Sequence, residues 1–189
     1  MAIYEQSFGP SALATPANAV TITRLLLAIP LLMLIADRPS SWPGVALWTI
    51  LCVTDGIDGY LARRQGATRS GAFLDPLADK VLVLGAMVAL VAAGQFWWVP
   101  VAIIAVREIA ISVFRSYWGR RGRAVPATHG AKVKTVVQEV AVGLALLPLT
   151  ADHQWIAGTV LWAAVVLTVT TGIQYVQAGS RATRMTGAS

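Results

Sequence analysis

Charge is what this sequence has least of. Only 13% of its 189 residues are Asp, Glu, Lys or Arg, roughly half the share in a soluble domain. Hydrophobic residues make up 56%, and the mean hydropathy is +0.64. A water-soluble fold of this size could not cover so much apolar surface, so the excess must face lipid. Cysteine is nearly absent. The single Cys52 sits in an apolar run and excludes both an intrachain disulfide and a zinc–thiolate centre. It reads as a small buried apolar side chain. The two histidines, His129 and His153, fall at connections between apolar runs, so no Cys/His set competes for a soft metal. Residues 1–15 have neither a basic start nor a continuous apolar stretch. They read as a polar or interfacial segment, and no signal peptide is expected there.

What the sequence does have is six long apolar runs, near 18–36, 43–62, 72–93, 97–118, 131–149 and 155–177. Each approaches the ~20 residues that an α-helix needs to cross a bilayer. Backbone groups in lipid must be satisfied within the segment, which favours helices. The expected fold is therefore an all-α integral membrane bundle of six transmembrane helices. Its expected divisions are a lead-in (1–15), a membrane domain (16–178) and a tail (179–189). Basic residues set the orientation. Arg63, Arg64 and Arg69 lie between runs two and three, and Arg120, Arg121 and Arg123 between runs four and five. Lys132 and Lys134 follow, and Arg181 and Arg184 are in the tail, whereas the other three connections hold only Arg38. The positive-inside rule places the basic segments and both termini in the cytoplasm, in the cell (inner or plasma) membrane. Trp42, Trp97, Trp98 and Trp155 gather at the opposite ends, where interfacial anchors belong. The net charge of +6 then follows from topology and anionic lipids, with no nucleic-acid partner needed.

Topology leaves the carboxylates unexplained. Four of only nine acidic residues, Asp55, Asp58, Asp75 and Asp79, stand at the margins of runs two and three. An aspartate deep in a membrane helix costs about 2.5–3.5 kcal/mol on insertion scales, so four together require a cation. Asp55 and Asp58 are at i, i+3; Gly71, Asp75 and Asp79 are at i, i+4, i+8. Each set shares one helical face. A short turn joins the two runs, so the sets converge on an oxygen-rich site for a hard divalent ion, Mg²⁺ or Mn²⁺. Gly59, Ala62 and Gly71 remove bulk beside the carboxylates, enough for a flat ring to approach the backbone. Arg63 is placed to pair with phosphate oxygens. Cation, arginine and flat slot together describe a nucleoside-diphosphate site. Asp79, the deepest of the four in its run, is the candidate general base.

These residues resemble the signature of the CDP-alcohol phosphotransferase family. The pattern D-x2-D-G-x2-A-R, a spacer, then G-x3-D-x3-D is complete here in Asp55, Asp58, Gly59, Ala62, Arg63, Gly71, Asp75 and Asp79. The spacer is seven residues where the family usually has eight, which bears on the turn and on the roles of Thr68 and Ser70. Further pieces are similar to the bacterial phosphatidylglycerophosphate-forming subgroup: Asn18, Thr21 and Arg24, FLDPLADK (73–80), REIAIS with Arg115, and Gly130, Lys132, Lys134 and Thr135. The resemblance implies a phosphatidyl transfer from CDP-diacylglycerol to sn-glycerol 3-phosphate, two bound metal ions, and a homodimer. It implies that Asp55, Asp58 and Asp75 bind metal with Asp79 close by, and that Asp79 is the catalytic base. It further implies that Gly59, Ala62 and Gly71 line the cytosine slot, that Arg63 holds the diphosphate, and that Thr68 or Ser70 meets the cytidine.

An anionic acceptor needs cations of its own. Arg107 and Arg115 share a face eight residues apart in run four, and Lys132 and Lys134 open run five on the same side. These four are the candidate acceptor-phosphate contacts. Arg107 inside an apolar run demands a partner. Glu108 is adjacent but is expected to point elsewhere, leaving the aspartates or Glu139 as the alternatives. Lys80 either balances the neighbouring Asp79 or snorkels. Competing readings keep the chemistry with another acceptor (inositol phosphate, or phosphatidylglycerol as in a cardiolipin synthase) or replace it with a divalent-cation transporter. If Asp79 is the base, Asp79→Asn is expected to retain metal and nucleotide binding while losing turnover. Equal losses, measured by CDP binding and CMP release, would make Asp79 chiefly a ligand.

Overall fold

The computed structural model describes the backbone of residues 16–65, 71–120 and 129–186, with side chains for 21–56, 80–114 and 133–174. Among these residues there are six α-helices and no strand: α1 (Pro16–Asp37), α2 (Trp42–Gln65), α3 (Gly71–Ala92), α4 (Trp98–Arg120), α5 (His129–Leu146) and α6 (Gln154–Thr186). Each apolar run falls on one helix. The ends are set by local chemistry that hydropathy does not register. Pro148 lacks an N–H and forces Leu147 into an extended conformation (φ −72°, ψ 123°), so α5 stops at Leu146 and a 3₁₀ turn, Pro148–His153, follows. At the far end no proline interrupts the sequence after Gln154, and α6 runs nine residues beyond its apolar run, to Thr186.

The chain leaves α3 through a left-handed glycine. Gly94 has φ +74°, and the amides that follow turn back to the last carbonyls of the helix: Gly94 N–H to Val91 O at 3.0 Å and Gln95 N–H to Leu90 O at 2.9 Å. A second turn is tied across the bundle. Ser41 N–H donates to Leu146 O at 3.0 Å and Ser40 Oγ to Ala145 O at 3.2 Å, so the α1–α2 connection sits at the same end as the end of α5.

The packing pairs trace a ring in the order α1, α2, α5, α6, α4, α3, closed by α3 on α1 and crossed by α3 on α5. Helices α2 and α3, which carry the aspartates, therefore share α1 and α5 as neighbours. On α1 the buried positions are Thr21, Arg24, Ala28, Leu31 and Ile35, a strict seam of alternating three- and four-residue steps. Ile22, Leu26, Ile29 and Met33 on the same helix are exposed, as are Val166, Val169 and Ile173 on α6. The exterior is thus apolar while Arg24, Lys134 and Gln138 are inside, the inverse of a fold packed for water. Among the described residues one stretch, Pro148–Gln174, contains an 18-residue window of mean hydropathy 1.9, long and apolar enough to cross a membrane, and Lys80–Ala92 is a shorter apolar segment.

The interior is also divided along its length. Ile35, Trp48, Met87, Leu90, Val101, Leu146, Ala157 and Leu161 fill the half next to the three short turns. Trp42, Trp97, Trp98 and Trp155 are exposed around that end. Successive helices reverse direction, so the buried Thr21 and Arg24 of α1, Lys134 and Gln138 of α5, and Thr168 and Thr171 of α6 lie in the other half. Gly94 is the point where this topology depends on backbone conformation. A Cβ there would meet nothing within 4 Å, so Gly94→Ala isolates the cost of the positive φ. It is expected to destabilise the fold by about 1 kcal/mol, read as a lowered unfolding midpoint in detergent.

Candidate active site

The first polar cluster joins α1, α2 and α5. Arg24 is 2% exposed, and its Nη1 donates to Oδ1 of the half-buried Asp55. A cation this deep is tolerated because a carboxylate neutralises it, and removing either partner leaves an uncompensated charge. Glu139 on α5 lies within electrostatic reach of both Asp55 and Arg24. Its helix is held to α2 by Trp48, whose Nε1 donates to the Glu139 carbonyl at 3.1 Å. Asp55 is thus held by its helix and by Arg24, with a second carboxylate nearby. Its Oδ1 is engaged by Arg24, and Oδ2 is the oxygen that it can offer to a further cation.

The second cluster joins α3, α4, α5 and α6. Arg107 lies across α6: Nε donates to the Thr168 carbonyl and Nη2 to Thr171 Oγ1, both at 3.1 Å. The approach is close at Gly172, where a Cβ would come within 3.3 Å of Arg107 Nε. Arg107 Nη1 donates to Glu108 Oε1 at 2.9 Å, and Lys134 Nζ donates to the same oxygen. Lys80 Nζ donates to Ser112 Oγ, and Ser112 in turn donates to the Glu108 carbonyl at 2.6 Å. Gln138 Nε2 reaches Thr168 Oγ1 at 3.2 Å and closes the network onto α6.

These contacts change parts of the sequence reading. Glu108 does not point away from Arg107; their side chains bond. Adjacent residues leave a helix only about 100° apart, and two long side chains can bend into one interhelical space. Arg107 is thus partnered by Glu108 and α6, whereas Glu139 belongs to the Arg24–Asp55 cluster. Lys80 turns inward to α4. Of the four expected acceptor contacts, Arg107 and Lys134 come together on one carboxylate. Arg115 lies on α4 and Lys132 on α5, with side chains outside those described. The same holds for Asp58, Gly59, Ala62 and Arg63 on α2 and for Gly71, Asp75 and Asp79 on α3. Thr68 and Ser70 lie outside the described residues. The roles of Arg24 and Glu108 were missed by charge spacing within single helices, because each is defined by a partner on another helix. The available signal was their cost: each is a charge in an apolar run.

Comparison with known proteins decides what class of molecule carries this arrangement. The model of the CDP-alcohol phosphatidyltransferase family matches residues 14–170. The chain belongs to that family. The matched region includes both polar clusters apart from Thr171. Among curated relatives, the "Probable phosphatidylglycerophosphate synthase" of Mycobacterium tuberculosis (strain H37Rv) is 41% identical over 182 residues, covering 90% of this chain and 84% of the relative. The "CDP-diacylglycerol--glycerol-3-phosphate 3-phosphatidyltransferase" of Escherichia coli (strain K12) is 39% identical over 167 residues, covering 84% and 91%. The namesake from Shigella flexneri is similar to the same extent.

The Arg24–Asp55 contact has a measurable consequence. Arg24→Leu is expected to lower the unfolding midpoint, and Asp55→Asn in that background to restore part of the loss, because no unpaired carboxylate remains. A double-mutant cycle in metal-free buffer should give a coupling of about 1–3 kcal/mol. Additive effects would show that the contact contributes nothing to stability.

Proposed function

We propose that this chain transfers the phosphatidyl group of CDP-diacylglycerol to sn-glycerol 3-phosphate, giving phosphatidylglycerophosphate and CMP. The observation that carries the reading is a juxtaposition. The complete aspartate signature lies on α2 and α3, and a buried set of cations for a phosphorylated acceptor lies in the same polar half. Lys80 of that cationic set is the residue next to Asp79. The names of the relatives describe this reaction.

The proposed setting is a six-span homodimeric bundle in the cell membrane, with both termini and the active site facing the cytoplasm. The apolar exterior and the exposed tryptophans at one end support the membrane setting. In the proposed division, 16–178 is the membrane domain, between a lead-in (1–15) and a tail (179–189).

A hard divalent cation fits the residues present. Asp55 offers an oxygen from a position already fixed by Arg24, and the signature adds only carboxylates. Asp55, Asp58, Asp75 and Asp79 would hold two Mg²⁺ or Mn²⁺ ions, which supply charge neutralisation at the diphosphate. The protein's own groups do the rest. Gly59, Ala62 and Gly71 admit the cytosine ring, with Thr68 or Ser70 at the cytidine, and Arg63 binds diphosphate oxygens. Arg107, Arg115, Lys132 and Lys134 orient the acceptor through its phosphate. Its hydroxyl oxygen then attacks the phosphatidyl phosphorus in line. The bond to the bridging oxygen breaks, CMP leaves with that electron pair, and Asp79 takes the hydroxyl proton.

The test is CMP release by the purified chain with CDP-diacylglycerol, Mg²⁺ and each acceptor in turn. Release that depends on glycerol 3-phosphate is expected. Release with inositol phosphate or phosphatidylglycerol alone would move the reading to another acceptor. No release with any acceptor, together with metal flux in proteoliposomes, would replace the enzyme by a transporter.

A further inference from the structure

The cluster around Glu108 holds more positive charge than its own carboxylate balances. Lys134 feels the positive charge of both Arg107 and Lys80, and Glu108 is the carboxylate beside it, an excess of two positive charges among the described residues. The side chains of Arg107, Glu108 and Lys134 are only 14%, 12% and 5% exposed, so water screens this excess weakly. A phosphate monoester carries close to two negative charges at neutral pH and matches it. Hydrogen-bonding capacity matches as well. Arg107 has five N–H donors, of which α6 and Glu108 take three among the described residues. Lys134 has three, of which Glu108 takes one.

Building on the proposed acceptor, we infer that Glu108 is the positioning residue of the acceptor-phosphate seat. Its Oε1 binds Arg107 Nη1 and Lys134 Nζ together and so fixes the separation and the charge of the two cations that the phosphate meets. Arg107 does not need Glu108 for its place, because Thr168, Thr171 and the gap at Gly172 already hold it against α6. Lys134 does: it comes from α5 on a flexible four-carbon stem, and among its described contacts only Glu108 orients the ammonium. Without the shared carboxylate the two cations repel, and the lysine turns away from the arginine. Glu108 touches no reacting atom in this scheme, so its loss acts on acceptor binding.

Steady-state kinetics of the full chain separates this role from a merely structural one. Wild type, Glu108→Gln and Glu108→Asp are assayed for CMP release with glycerol 3-phosphate and CDP-diacylglycerol varied in turn. Glu108→Gln is expected to raise KM for glycerol 3-phosphate about tenfold, the loss of one charge-assisted hydrogen bond. Its kcat and its KM for CDP-diacylglycerol should stay within about twofold of wild type. Glu108→Asp keeps the charge one methylene short and should lie between, at about threefold. If Glu108→Gln yields no folded protein, Glu108→Asp decides alone, and a wild-type acceptor KM in it overturns the proposal. An unchanged acceptor KM in Glu108→Gln overturns it. A lowered one does so too, by making Glu108 a competitor of the phosphate. A fall in kcat at constant acceptor KM also overturns it. If wild type itself releases no CMP with glycerol 3-phosphate, the acceptor reading fails and this proposal fails with it. Wild-type turnover with an unmoved variant sinks the proposal alone.

Discussion

A buried charge in an apolar bundle must be paired, and this fold is arranged around that requirement. Arg24 on α1 is buried and is neutralised by Asp55 on α2. Arg107 and Lys134 converge from α4 and α5 on one oxygen of Glu108. The Arg24–Asp55 and Lys134–Glu108 pairs each join two helices, and each would impose a large desolvation penalty if one partner were lost. The same charges that make the interior functional therefore also fix which helices must meet. Packing alone is less demanding, since lipid tails are as apolar as leucine and give helices little reason to prefer each other.

The ring order of the helices turns these pairings into a site. Helices α2 and α3 share α1 and α5, so the aspartate-bearing segments are braced by the same two neighbours. Helix α4 brings Arg107, Glu108 and Ser112, and α6 supplies the carbonyl and hydroxyl that hold the arginine. Alternating helix direction sends the buried charges Arg24 and Lys134 to one half, while the tryptophan-rich turns and most of the large apolar side chains occupy the other. Such a division suits a reaction with one water-soluble substrate and one lipid substrate. In the proposed reaction the phosphates would enter the polar half and the acyl chains would meet the apolar exterior.

Much of this could be read from the residues in order. Six apolar runs became six helices, because a helix satisfies the backbone hydrogen bonds of a continuous apolar run within the run itself. The family was legible for a related reason. Its signature is confined to one stretch, 55–79, where the chemistry needs fixed spacings along two successive helices. Helix ends were less legible, since hydropathy marks where apolar side chains stop and not where backbone hydrogen bonding stops. Helix α6 shows this by continuing through the polar segment to Thr186.

The sequence by itself determined the helical class, the family and the residues that carry charge into an apolar interior. It could not determine which charge answers which. Arg24 lies 31 residues from Asp55 and Glu108 lies 26 residues from Lys134, distances over which periodicity carries no information. Even the adjacent Arg107 and Glu108 were misjudged, because helical direction describes Cβ vectors and not the ends of long flexible side chains. Only the packing of α1 on α2, and of α4 and α5 against their shared neighbours α3 and α6, decided those pairs. The physical reason is that electrostatic partnership depends on distance through space, and in a bundle that distance is set by which helices are neighbours.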